Sequence, residues 1–198
     1  MSSYPSPAVG HWLNEFEQRH PEDGATIDRF RSLLQNHSNA FERDCWAGHI
    51  TGAAWLLSPS LDRVLMTHHR KLDRWLQLGG HSDGDPDPLA VARREAEEES
   101  GLEVAPLGPG LLDIDIHSIP ARKSDPEHLH FDLRFAFVST SGSDYQVSEE
   151  SHDLAWVDLV DFERFTHEPS LRRMAGRWRG WIARGLHRTS APLSSSMC

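Results

Sequence analysis

Apolar positions along the chain follow two different periods. Val9, Trp12, Leu13 and Phe16 recur at helical spacing, Pro21-Glu22-Asp23-Gly24 interrupts them, and Ile27, Phe30, Leu33 and Leu34 form a second stripe. Residues 1–43 are therefore expected to be an N-terminal helical extension. Short strand-like runs follow from Gly48 to Leu57 and from Asp62 to Thr67, and Ser58-Pro59-Ser60 between them predicts a β-hairpin. A glycine-rich loop spans Gly79 to Asp87. After it, Asp87 supplies an N-cap, Pro88 a first helical position and Gly101 a left-handed stop, so a helix is expected over Pro88–Ser100.

Downstream the period changes to two. Leu111–Ile119 and His128–Val138 alternate, and in the second run Leu129, Phe131, Leu133, Phe135 and Phe137 share one side while His128, His130, Asp132 and Arg134 share the other. Another strand starts near Leu154, and helical patterns run over residues 161–165 and 170–184. Leu171, Met174, Trp178 and Trp181 make a buried stripe on the last helix, whose arginines are expected to face solvent. Residues 189–198 read as a flexible tail. Helices, mixed strands, a helix, strands and a helix describe an α/β or α+β layered domain over residues 44–188.

Composition agrees with a packed core: 38% of residues are hydrophobic, with seven Trp and eight Phe. No apolar run approaches the roughly 18 residues of a membrane span, and the start has no signal-peptide pattern, so a cytoplasmic protein with no membrane partner is expected. Cys45 and Cys198 are too few for a disulfide framework or a cysteine zinc site.

Charge changes the picture more. Thirty acids against twenty Lys and Arg leave a net of −10, which disfavours extended nucleic acid as a partner. The acidity is concentrated: Asp83 to Glu103 holds eight acids against Arg93 and Arg94, a net of −6, whereas Leu171 to Arg188 holds six arginines and no acid. That basic helix also leaves a homodimer contact open. On a helix, residues three and four apart share a face, so Glu95, Glu98 and Glu99 converge. Three stacked carboxylates repel one another unless a hard cation such as Mg²⁺, which takes oxygen ligands, lies between them.

The order of residues in this segment resembles the box of the Nudix hydrolases, G-x5-E-x7-R-E-U-x-E-E-x-G-U with U aliphatic. Gly80, Arg94, Glu95, Ala96, Glu98, Glu99, Gly101 and Leu102 all fall in register. Pro86 occupies the place of the first glutamate, with Asp83, Asp85 and Asp87 nearby as substitutes. The resemblance implies the Nudix fold, an α+β sandwich in which helices flank a mixed β-sheet, and a Mg²⁺- or Mn²⁺-dependent hydrolase that cleaves the diphosphate of a small molecule in which a nucleoside diphosphate is linked to another group. It also implies roles: Glu98 and Glu99 as metal ligands, Glu95 as ligand or base, Arg94 as their orienting partner, and the Gly80 carbonyl as a further ligand. Relatives place another acid before a tryptophan-bearing strand, which here points to Glu150, with Glu149 second, ahead of Trp156.

His81, His130, Asp132 and Arg134 are expected on the substrate side, Arg134 holding a phosphate and the histidines a base or sugar. Trp75 is expected to pack in the core rather than stack on a ring. Two competing readings are weaker. His130-Phe131-Asp132 with a distant histidine matches an iron-binding triad, but so short a pattern arises readily among thirteen histidines. A non-catalytic Nudix-fold ligand-binding or regulatory module has no need of the full carboxylate set.

Overall fold

The computed structural model describes residues 6–70, 72–122, 125–149 and 151–188. Helices α1 (Pro7–Arg19) and α2 (Gly24–Asn36) are separated by a single 3-10 turn at Pro21–Asp23. Then come β1 (His49–Leu57), β2 (Arg63–His69), β3 (Arg74–Leu76), β4 (Leu78–His81), α3 (Pro88–Ser100), β5 (Val104–Ile119), β6 (His128–Ser139), β7 (Ser151–Asp158), α4 (Phe162–Phe165) and α5 (Pro169–Ala183). None of the described helices is long and apolar enough to cross a membrane.

All seven strands join one mixed sheet. β1 runs parallel to β6 along its whole length, and β5 pairs antiparallel with β6 on the far side. The other edge of β1 is shared: β4 lies antiparallel to Thr51–Ala54, while β2 meets β1 only at Leu57 opposite Val64. The expected hairpin is therefore confined to its turn. β4 occupies the edge that a full hairpin would use, and β2 instead pairs with β7 and β3.

Glycine makes that displacement feasible. A Cβ on Gly79 would fall 2.8 Å from the Cα of Ala53, and one on Gly52 would fall 2.6 Å from the Pro88 carbonyl oxygen, so β4 and α3 both reach β1 through positions without side chains. Gly79-Gly80 accordingly begins as strand rather than loop.

The two sheet faces carry different cores. Phe131, Leu133, Phe135 and Phe137 of β6 join Val9, Trp12 and Phe16 of α1, Ile27 and Phe30 of α2, and Ala92 and Ala96 of α3. On the opposite face Trp55, Met66, Leu112 and Ala136 meet Leu171, Met174, Trp178 and Trp181 of α5. Trp75 belongs to this second layer, stacked on His68 with ring centroids 5.1 Å apart. The helix–sheet–helix sandwich is the expected α+β fold. β5 starts earlier than the alternation suggests, at Val104, because register shifts between Leu107 and Asp113 break the period of two that would have revealed it. The tail over residues 189–198 lies outside the described residues.

Candidate active site

The cleft is built from α3 outward. Asp87 caps the helix by accepting from the Leu89 and Ala90 amides at 3.1 and 3.2 Å, and Gly101 closes it in the left-handed conformation at φ 69°. Burial of Val91, Ala92 and Ala96 sets the helix roll. The opposite side then carries Glu95 and Glu98 to the cleft wall.

Each glutamate has a different setting. Glu99 is only 8% exposed and its Oε1 accepts the Gly79 amide at 2.9 Å, tying α3 to β4. Glu95 lies directly against Gly80, where a Cβ would come within 2.4 Å of its carboxyl carbon. Only glycine at position 80 admits this approach, a steric reason for the residue independent of any motif. Glu98 is exposed on the cleft. Arg94 contacts Glu95 at 3.4 Å and Asp85 at 3.8 Å.

The three acids around Pro86 have different partners. Asp83 pairs with Arg43 at 2.7 Å, Asp87 serves as the helix cap, and Asp85 is the acid that reaches Arg94. Pro86 is exposed between them. The loop is further tied to the N-terminal segment by the Gly84 amide, which donates to the Phe41 carbonyl at 2.9 Å.

A cleft of about 620 Å³ opens beside these groups. His81, His130 and Asp132 line it, as expected, together with Thr51 and Arg43, which sequence reasoning missed because nothing in their local pattern links residues 43–51 to α3. Burial is the leading reason that His81 is pushed down to about 4 and His130 to about 3, so both rings are neutral near pH 7. Asp132 is buried. Its Oδ1 accepts from the Thr51 hydroxyl at 2.6 Å and its Oδ2 from Arg134 at 2.9 Å. Desolvation alone would raise its pKa, but Arg134 and His117 hold it below the usual carboxylate value.

Arg134 is not on the substrate side. It is 2% exposed, and its guanidinium donates to Asp113 at 3.0 Å and to Asp115 and Asp132 at 2.9 Å. Its strand places it on the polar face, but three carboxylates from neighbouring positions on that face engage both of its terminal guanidinium nitrogens. The arginines of α5 depart from expectation for the same reason. Arg173 donates to Asp113 and Asp115 at 3.0 Å, and Arg177 pairs with Asp113 and Asp23, so part of the basic helix turns inward. Glu149 is exposed and is not among the cleft-lining residues, and Glu150 lies outside the described residues. Trp156, on β7, donates its indole N–H to the Ser143 carbonyl at 2.8 Å.

A family model described as NUDIX domain matches residues 48–177. Among solved structures, a NUDIX-family hydrolase from Clostridium perfringens is 26% identical, with 66% of this chain and 96% of that one covered and a TM-score of 0.50. The dihydroneopterin triphosphate pyrophosphohydrolase of E. coli is 16% identical, covering 65% of this chain and 92% of that one at a TM-score of 0.52. A Nudix hydrolase from M. smegmatis, RenU, is 18% identical over 69% and 88% of the two chains, also at 0.52. No curated protein matches the chain.

Proposed function

The chain belongs to the Nudix family of hydrolases acting on pyrophosphate bonds, and from that premise we propose that it is a Mg²⁺-dependent enzyme cleaving the diphosphate of a small molecule in which a nucleoside diphosphate is linked to a second group. The observation that carries the reading is Glu95 against Gly80 and Glu98 beside it at the wall of an open cleft, with Glu99, one turn on from Glu95, tied to the neighbouring Gly79 amide. The donor set fits the ion: these are oxygen ligands, the kind that a hard divalent cation takes. Glu95, Glu98 and Glu99 would hold it, with the Gly80 carbonyl as a further donor. Bound there, Mg²⁺ neutralises phosphate oxygens and lowers the pKa of a bound water.

The remaining work falls to the chain's own groups. Arg94, held between Asp85 and Glu95, orients the glutamate face. Glu95 or Glu150 accepts the proton of the attacking water. Neutral His81 and His130 offer both a donor and an acceptor to a base or sugar, and the fixed Asp132 orders the wall behind them. Arg43, paired with Asp83 and 61% exposed on its side chain, is a cation of the cleft rim suited to a phosphate and takes the role expected of Arg134.

A panel of nucleoside triphosphates, nucleotide sugars, dinucleoside polyphosphates and non-nucleotide diphosphates, each with Mg²⁺ or Mn²⁺, tests the proposal through released monophosphate. Turnover with one class that disappears in Glu98→Gln is expected. Silence across the panel, with a ligand still bound, would make the chain a Nudix-fold binding module.

A further inference from the structure

Beyond the carboxylate site, one end of the sheet gathers five histidines from four strands. β1 sets His49 beside His130 of β6, β6 sets His130 opposite His117 of β5, and the rings of His81 and His128 complete the group. His49 lies 5.2 Å from His81, 4.9 Å from His128 and 4.8 Å from His130 between ring centroids. No local sequence pattern predicts this convergence, which arises from the register of parallel and antiparallel pairing.

Three of these rings have nitrogens that hydrogen bonding leaves available. His49 is 2% exposed, yet neither of its ring nitrogens meets a partner at hydrogen-bond geometry; the Cys45 carbonyl is within electrostatic reach but off that geometry. The Nε2 of His130 is likewise buried without a partner. His128 contacts the Pro126 carbonyl through Nδ1 at 2.8 Å. A carbonyl can only accept, so Nδ1 carries the proton and Nε2 presents its lone pair, the arrangement by which backbone carbonyls orient metal-binding imidazoles. One nitrogen from each of the three lies within 4.8 Å of the others.

We propose that His49, His128 and His130 form a second metal site, separate from the glutamates of α3, that takes a borderline divalent transition metal such as Zn²⁺. Three imidazoles with remaining positions open match the ligand type and number of such ions and suit Mg²⁺ poorly. The alternative trio of His117, His130 and Asp132 is also close-packed, but both Asp132 oxygens are already committed to Thr51 and Arg134. Because His130 also lines the cleft, an ion on this trio would add positive charge to the substrate wall.

Zinc binding by chelator-treated full-length protein in excess Mg²⁺, measured by competition with a chromogenic chelator, tests the site. Co²⁺ spectra provide an independent readout of nitrogen ligation. Wild type is expected to take one Zn²⁺ per chain. His128→Gln and His130→Gln should each weaken it at least about ten-fold, while Glu98→Gln and His117→Gln retain wild-type affinity. His128 is only partly buried, so its variant keeps the test valid should the His130 variant fail to fold. Absence of Zn²⁺ uptake, wild-type affinity in His128→Gln, or a loss that follows His117→Gln or Glu98→Gln would each overturn the assignment.

Discussion

Two groups of carboxylates in this molecule contrast in how their charge is met. Asp113, Asp115 and Asp132 lie beneath the polar sheet face and are answered inside the protein by Arg134, Arg173 and Arg177. Glu95 and Glu98 stand on α3 at an open cleft, with Arg94 as the neighbouring cation contacting Glu95. The first group is structural because its lone pairs are spent on guanidinium donors. The second can serve a metal because its charge is presented to the outside. Acidity alone therefore does not locate a site; the supply of internal cations does.

The comparison breaks most sharply at Asp113, whose side chain is fully buried. Asp113→Asn should lose about 3–5 kcal/mol in urea unfolding, because removing one member leaves buried arginines incompletely compensated. The folded fraction should hydrolyse substrate near the wild-type rate. The reverse pattern is expected at the cleft: Glu98→Gln should lower Mg²⁺-dependent turnover by about a hundred-fold or more while the unfolding midpoint stays within experimental scatter of wild type.

Acid sharpens the contrast through the neutral histidines. Burial lowers His49 and His81 to about 4 and His130 to about 3, from 6.5 in the unfolded chain. As pH falls below 6.5 the unfolded chain takes up protons first. Metal-free protein should hold its full stability above pH 6.5 and lose it toward pH 4, at up to about 1.4 kcal/mol per pH unit for each histidine. A shallower slope in His130→Gln is the diagnostic measurement. Gly80→Ala should displace Glu95 and reduce turnover about ten-fold with little change in stability. Smallest is Asp85→Asn: its pair with Arg94 is long and partly exposed, so a stability change under about 1 kcal/mol and a few-fold change in turnover are expected.

Much of the active helix was legible before the fold was known. Asp87, Pro88 and Gly101 act within a few residues of themselves, so capping and termination follow from local chemistry, and the three-and-four spacing of Glu95, Glu98 and Glu99 places them on one side wherever the helix packs. Arg134 shows the limit. Alternation assigned it correctly to the polar face, but that face is solvent in one place, cleft in another and interior beneath α5, and only the strand neighbours distinguish them. β3 was missed because it is only three residues long and pairs with β2, and β4 because its glycines read as loop and its pairing depends on the edge that β1 leaves free.

From the sequence alone came the Nudix box, the helix that carries it, the apolar and polar faces of β6 and a layered domain of helices and strands, since each depends on periodicity or contacts a few residues apart. Tertiary structure alone decided that Asp85 is the acid beside Arg94, that Arg134 and Arg173 are internal counter-ions, and that five histidines meet at one end of the sheet. Those outcomes depend on strand register and on contacts between residues as far apart as Asp23 and Arg177, where no local spacing records which charge will find which partner.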